Sequence, residues 1–277
     1  MSKGVLYVVA TPMGNLEDVT YRAIRVLREV DLIAAEDTRQ TRLLLDHYGI
    51  RTPMLAFHEH NETARAPALL DRLSSAQALA LVSDAGTPLI SDPGFPLVRE
   101  AVARGLKVVP IPGPCAAICA LSAAGLATDR FLFTGFPPRQ TGQRLRWLET
   151  LAQESATLIF YESSHRILAT LEGMQQVFGA NRRGVIAREL TKIHETFLFG
   201  SIAELLLRVT QDMNQQRGEF VLLVQGCESR EETQITLGLD TLLQVLGEAL
   251  PVKQAAKLAA GLSGYKKNDL YHRILKI

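Results

Sequence analysis

The chain predicts an α/β protein: two successive α/β units, then a short helical segment. Three observations carry this. Short apolar runs recur between residues 5 and 225, most of them followed by a stretch with helical apolar spacing. Two of the runs feed loops dense in Gly and Pro, residues 83–94 (S-D-A-G-T-P-L-I-S-D-P-G) and 110–117 (P-I-P-G-P-C-A-A). Open α/β sheets place ligands in such loops, beyond the carboxyl ends of strands. After residue 236 the pattern turns wholly helical and basic.

The first apolar run, 5–10 (V-L-Y-V-V-A), reads as a strand covered on both faces. It leads into Thr11, Pro12, Met13, Gly14 and Asn15, a turn suited to close approach of the main chain. Neither G-x-G-x-x-G nor G-x-x-x-x-G-K-[ST] occurs. Thr20 is placed to cap a helix over 21–29. A strand over 31–35 delivers Glu36, Asp37, Thr38 and Arg39. Two readings of that tetrad stand together. Asp37 or Thr38 caps a helix over 40–48, with Glu36 paired to Arg39, or the tetrad is a polar platform for a substrate.

A strand over 54–57 precedes His58-Glu59-His60-Asn61. Positions i and i+2 point apart on a strand and no third ligand follows, so a cleft-lining loop or a solvated turn suits this stretch better than a metal site. Helices are expected over 62–74, 95–104 and 116–124, and strands over 78–82 and 106–109. Gly86 and Gly94 let the backbone approach a ligand.

The first unit ends near residues 125–129, and a strand over 131–134 opens the second. Residues 137–146 (P-P-R-Q-T-G-Q-R-L-R) form either a mobile flap or the solvated start of a helix. Strands follow over 157–161, 184–187, 195–199 and 218–225, and Ser201 with Glu204 makes a capping box. Residues 227–236 read as a polar linker. Helices over 239–250, 252–262 and 266–277 close the chain. The last two, split by Leu262-Ser263-Gly264, are either a packing hairpin or a helix-turn-helix presenting Lys266, Lys267 and Arg273 to nucleic acid.

The chain has 277 residues, 47% hydrophobic and 21% charged, with net charge +1, so it is no polycation as a whole. From residue 251 onward the balance is +5, which leaves −4 for the rest and points to a polyanionic partner. Three Cys without C-x-x-C fit neither a disulfide frame nor a zinc site and suit a reducing cytosol. The first apolar run is too short for a signal peptide, and no run is long enough to span a membrane.

T-P-M-G-N-L-E-D-V-T (11–20), A-E-D-T-R (35–39), S-D-A-G-T-P-L-I-S-D-P-G (83–94), P-G-P-C-A-A (112–117), Y-E-S-S-H-R (161–166) and A-R-E-L-T-K (187–192) together resemble the ribosomal RNA small-subunit methyltransferase I family, similar in fold to the tetrapyrrole methylases. The resemblance runs nearly end to end. It implies S-adenosyl-L-methionine as cofactor, 2′-O-methylation of a cytidine in the decoding region of small-subunit (16S) rRNA within the 30S subunit, a cytoplasmic homodimer, and no metal. It implies a substrate-side α/β domain over 1–125, a cofactor-side one over 126–227 and a helical RNA-binding domain over 235–277, the cofactor lying between the first two.

By the same resemblance, cofactor contacts fall on Gly86, Thr87, Ser91, Asp92, Cys115, Ala116, Ala117, Tyr161, Ala187, Arg188, Glu189, Gly218, Glu219, Phe220 and Val221. The substrate side takes Thr11, Pro12, Gly14, Asn15, Thr38 and Arg39. For the acceptor of the ribose proton, Asp37 and Glu36 come first and Glu189 next. Two other readings compete: a methylase of a small tetrapyrrole, and a non-catalytic RNA-binding assembly factor.

Overall fold

Strands that run parallel must be joined by crossovers, and the apolar-periodic stretches between the first five strands supply them as helices. The computed structural model describes residues 4–227 and 238–275. Its first sheet comprises β1 (Val5–Val9), β2 (Leu32–Ala35), β3 (Met54–Ala56), β4 (Leu79–Val82) and β5 (Lys107–Ile111), all parallel, in the order β3-β2-β4-β1-β5. The crossovers are α1 (Tyr21–Glu29), α2 (Thr38–His47), α3 (Glu62–Ser74) and α4 (Phe95–Ala103).

The period-2 alternation of β2 shows why the strands are apolar throughout. Leu32 and Ala34 pack with Leu69, Leu73 and Leu97 of α3 and α4. Ile33 and Ala35 pack with Val26, Leu27, Leu44 and Leu45 of α1 and α2 on the opposite face. The chain therefore leaves β1 toward one face and the adjacent β4 toward the other. That reversal is the switch point at which doubly wound sheets bind ligands.

The second sheet holds β6 (Phe131–Gly135), β7 (Thr157–Ser163), β8 (Arg183–Arg188), β9 (Thr196–Ser201) and β10 (Glu219–Val224), in the order β6-β7-β10-β8-β9. Only β6 and β7 run parallel; the other pairings are antiparallel. One face is covered by α6 (Thr141–Leu151), α7 (Ile167–Phe178) and α8 (Ile202–Gln211). The other is covered by α5 (Ala116–Ala123), which leaves the first sheet's last strand and buries Ala117, Ala120 and Leu121 against Ile159, Val185 and Val221.

The chain divides into two compact units, Met1–Glu228, which holds both sheets, and Ser229–Ile277. In the second, α9 (Leu239–Ala249), α10 (Val252–Ser263) and α11 (Lys267–Ile274) share a core of Leu243, Ala255, Ala256, Ala259, Leu270 and Ile274. Gly264 takes φ +72° between α10 and α11, the left-handed cap that Gly adopts without a Cβ penalty. Apart from Cys227, the expected linker lies outside the described residues, as does Lys276. No helix among the described residues is long and apolar enough to cross a membrane.

Several local expectations are corrected. Pro110, read as the start of a loop, lies inside β5; this edge strand pairs only with β1, so a missing N–H is tolerated. Of the two readings of residues 137–146, the helical one holds from Thr141, which opens α6, though not as a wholly solvated turn. Arg144 is buried and donates from Nη1 to the Arg139 carbonyl at 3.1 Å. Glu36 does not pair with Arg39: Arg39 Nη2 meets Asp37 Oδ2 at 2.7 Å, and α2 starts at Thr38, two residues earlier than expected. Asp37 is its N-cap, accepting from Arg39 N.

Candidate active site: a cavity between the two sheets

Three loops at the carboxyl edge of the first sheet are fastened to one another. Thr11 and Gly86 exchange backbone hydrogen bonds of 2.8 and 2.9 Å, joining the loop after β1 to the loop after β4. Thr87 Oγ1 donates to the Pro114 carbonyl at 2.9 Å, adding the loop after β5. A last tie reaches the second sheet, where the Ala117 N–H donates to Tyr161 Oη at 3.1 Å. These ties hold together the walls of an open cavity of about 400 Å³.

Backbone conformation shows how tightly the walls are drawn. Gly86 has φ +82°, and Leu89 and Ser91 follow at +72° and +69°. Across the cavity, Glu189 and Thr191 stand at +52° and +66°. Left-handed conformations at non-Gly residues, above all at a β-branched Thr, store strain that gathers at ligand sites.

Gly86, Thr87, Ser91, Asp92, Cys115, Ala116, Tyr161, Gly218, Glu219, Phe220 and Val221 all line the cavity. Ala117 acts through its bond to Tyr161. Ala187 does not reach the cavity: it is fully buried and paired with Val221 in the sheet. Arg188 turns to the Arg217 and His194 carbonyls, at 3.1 and 3.2 Å. Glu189 is one shell back, accepting from the Glu219 N–H at 3.0 Å and from Lys192 Nζ at 2.9 Å. Lys192 also meets Glu219 Oε2 at 2.9 Å. The cavity adds Met13, from the loop expected on the substrate side, and Ile90, Phe136, Glu162, Ser163 and Leu190, which sequence reasoning did not single out.

The substrate-side residues divide. Thr11 is buried, its hydroxyl donating to the Ser83 carbonyl at 3.1 Å. Asn15 is exposed and caps a 3-10 turn by accepting from Glu17 N. Pro12 is half-buried beside it, and Gly14 packs so closely on Lys192 that a Cβ would lie 2.4 Å from Lys192 Cγ. Thr38 opens α2. In the helical unit, Arg273 Nε pairs with Asp240 Oδ1 at 2.9 Å, while Lys266 and Lys267 are exposed.

Four carboxylates mark the acidic side. Glu36 Oε2 accepts from Asp84 N at 3.3 Å, and Asp84 Oδ1 accepts from Asp37 N at 2.9 Å. Burial pushes the Glu36 carboxyl above its ordinary range. Burial, with Glu36 and Asp84 adding like charge, raises Asp92 to about 6 against the opposing Ser83 hydroxyl. The Arg39 guanidinium holds Asp37 down at about 2. Burial pushes Glu189 up, but Lys192 and the Glu219 N–H outweigh it and leave the carboxyl below its usual value. Burial also raises the Tyr161 phenol, which stays neutral near pH 7. Among the described residues, no group of three or more His, Cys, Asp or Glu is placed to hold a metal ion.

The family described as Tetrapyrrole (Corrin/Porphyrin) Methylases matches residues 5–206, and that described as the RsmI C-terminal HTH domain matches residues 234–277. Two sheets with a cavity between them and a helical tail thus define a methyltransferase of the tetrapyrrole methylase class. The chain belongs to the ribosomal RNA small subunit methyltransferase I family. It is 51% identical to the member from Pasteurella multocida (97% of this chain, 95% of that one) and 52% identical to the member from Pseudomonas aeruginosa (100% and 98%).

Solved structures share the fold at low identity. Diphthine synthase aligns with TM-score 0.62 and 15% identity, over 80% of this chain and 90% of that one. A uroporphyrin-III C-methyltransferase from Thermus thermophilus, complexed with S-adenyl homocysteine, aligns with TM-score 0.56 and 16% identity, over 80% and 97%.

Proposed function

We propose that this protein transfers a methyl group from S-adenosyl-L-methionine to the ribose 2′-hydroxyl of a cytidine in the decoding region of 16S rRNA. The observation that carries the reading is the cavity between the two sheets, in a chain whose full-length relatives are named ribosomal RNA small subunit methyltransferase I. The cavity suits such a cofactor. About 400 Å³ falls within the range of small-molecule sites. Its lining combines apolar residues with Gly86, Gly218, Asp92 and Glu219. The bound cofactor supplies an electrophilic methyl on a positively charged sulfur.

In this reading the chain contributes alignment and a proton acceptor. The tied loops hold donor and hydroxyl in line and exclude water. The hydroxyl proton is accepted by a carboxylate of the acidic side, Asp92 in the cavity wall or Glu36 behind it, both raised by burial. Asp37 is the poorer base, because Arg39 holds its charge in place, and Glu189 is engaged by Lys192. Residues 1–125 carry the substrate side and 126–227 the opposite wall, and the cofactor lies between them in contact with both. Residues 235–277 contact RNA through Lys266 and Lys267, in a cytoplasmic homodimer acting on the small subunit.

The test uses labelled S-adenosylmethionine and small subunits from cells lacking the enzyme. Alkaline cleavage of RNA needs a free 2′-hydroxyl. The label is therefore expected in an alkali-resistant dinucleotide beginning with methylated cytidine. Label in a mononucleotide places the methyl on a base and refutes the acceptor.

A further inference from the structure

The Y-E-S-S-H-R stretch contains a device that the functional reading does not use. Glu162 lines the cavity, yet its side chain is wholly inaccessible, and its carboxylate faces Arg166 Nη2 at 2.7 Å. Its other oxygen accepts from Thr170 Oγ1 at 2.7 Å, and Oε1 also accepts from the Ser163 N–H. Such a buried pair adds little net stability, since desolvation offsets the attraction. What it does supply is a fixed guanidinium.

Arg166 passes that fixity on. Its Nη1 donates to the Pro137 carbonyl at 3.0 Å, and its Cζ stands 5.8 Å from the centre of the Phe136 ring. Phe136 follows a bulge: the β6–β7 register shifts between Phe133 and Gly135, and Gly135 takes φ +70°. The bulge turns the chain over the cavity, where a Cβ on Gly135 would come 3.5 Å from Ser91 Oγ. The Phe136 ring meets Tyr161 edge-on at 5.7 Å, lines the cavity and remains half-exposed.

We propose that Arg166 is a positioning residue that holds the Phe136 ring as one wall of the seat for the adenine ring of the bound cofactor. This rests on the reading of the cavity as the cofactor site. A flat neutral heterocycle suits an aromatic wall. The charged methionine end suits the carboxylates of the acidic side, so adenine is the part of the cofactor that Phe136 takes. A base of the RNA has the same flat chemistry, and the experiment separates the two.

Calorimetry on the full chain with S-adenosylhomocysteine and 5′-methylthioadenosine decides the matter, because both carry adenine and only the first carries the amino-acid end. Phe136→Ala is expected to weaken both ligands by the same factor, about tenfold or more. Phe136→Trp is expected to keep most of the affinity. Arg166→Met, with the ring intact, is expected to weaken both as well and to raise KM for the cofactor by a larger factor than it lowers kcat. Glu162→Gln with Arg166→Met avoids stranding a buried charge if the single variant unfolds. Parental affinity in Phe136→Ala, even with a raised KM for RNA, overturns the inference, as does a loss confined to S-adenosylhomocysteine. If the parent binds neither ligand, the reading of the cavity fails and takes this inference with it.

Discussion

Arg39 grips Asp37 through its guanidinium, Nη2 to Oδ2 at 2.7 Å and Nε shared between Oδ1 at 3.1 Å and Oδ2 at 3.2 Å, while Oδ1 also caps α2 through Arg39 N at 2.8 Å. A carboxylate held this way is a structural anion. Asp37→Asn is therefore expected to cost less than about tenfold in turnover, below the range for a lost general base. Its stability effect has a definite sign. The folded value is depressed to about 2, so the contribution is complete above the unfolded value near 4 and is lost as pH falls toward 2. Melting curves of parent and variant should differ at pH 7 and converge at pH 2. A hundredfold fall in turnover would return the base role to Asp37.

Glu36 and Asp92 behave differently. A base must be ionised, so turnover is expected to rise with pH through about 6, the value to which burial raises Asp92. Glu36→Gln and Asp92→Asn should each lower kcat by about a hundredfold or more, as for a lost general base. Asp92→Asn should also flatten the profile, and a rise through pH 6 that survives in it assigns the titration elsewhere. In stability the sign is reversed. The folded Asp92 holds its proton more tightly than the unfolded chain, so it destabilises increasingly between pH 4 and 6. Asp92→Asn should gain about 1 kcal/mol at pH 8, after allowance for screening, and nothing at pH 4.

The first sheet was legible because its signals are local. Thr20 caps α1 as expected, accepting from Ala23 N, and α1 and α3 have the expected bounds. The loops of residues 83–94 and 112–117 were legible through their Gly and Pro. What sequence could not supply is partnership across the fold. The expected Glu36–Arg39 pair fails because Glu36 turns to the Asp84 N–H of a distant loop and Arg39 folds back on Asp37. The strand expected over 157–161 runs on to Ser163, because Arg166 and Thr170 of the next segment satisfy the buried Glu162 carboxylate. Phe136 depended on a bulge that no residue pattern announces.

Two glycines in the cavity wall should respond unequally. At Gly86 an added Cβ meets nothing closer than 3.6 Å, so Gly86→Ala pays only for φ +82°, about 1–2 kcal/mol of stability. At Gly218, with φ +95°, the Cβ would lie 2.5 Å from Glu189 Cδ. Gly218→Ala must push Glu189 away and break its bonds to Lys192 and the Glu219 N–H. Melting temperature and calorimetry on S-adenosylhomocysteine should therefore both suffer more in Gly218→Ala. Equal losses would mean that the Glu189–Lys192 contact contributes nothing.

The helical unit separates binding charge from packing charge. Lys266 and Lys267 are exposed at the start of α11, whereas Arg273 lies near its end and pairs with Asp240 of α9 at 2.9 Å. Each cation that meets a phosphate releases a counterion, so its loss lowers the salt slope of binding by about 0.7–0.9. Lys266→Gln with Lys267→Gln is expected to weaken binding to small-subunit RNA and flatten its salt dependence, with S-adenosylhomocysteine affinity unchanged. Arg273→Gln removes an exposed ion pair worth about 0–1 kcal/mol, so it should lower the stability of this unit slightly and leave the slope alone. The measurement is the binding constant over a salt series for each variant. A parental slope in the double lysine variant would make α11 a packing helix only, and a reduced slope in Arg273→Gln would place that guanidinium on RNA.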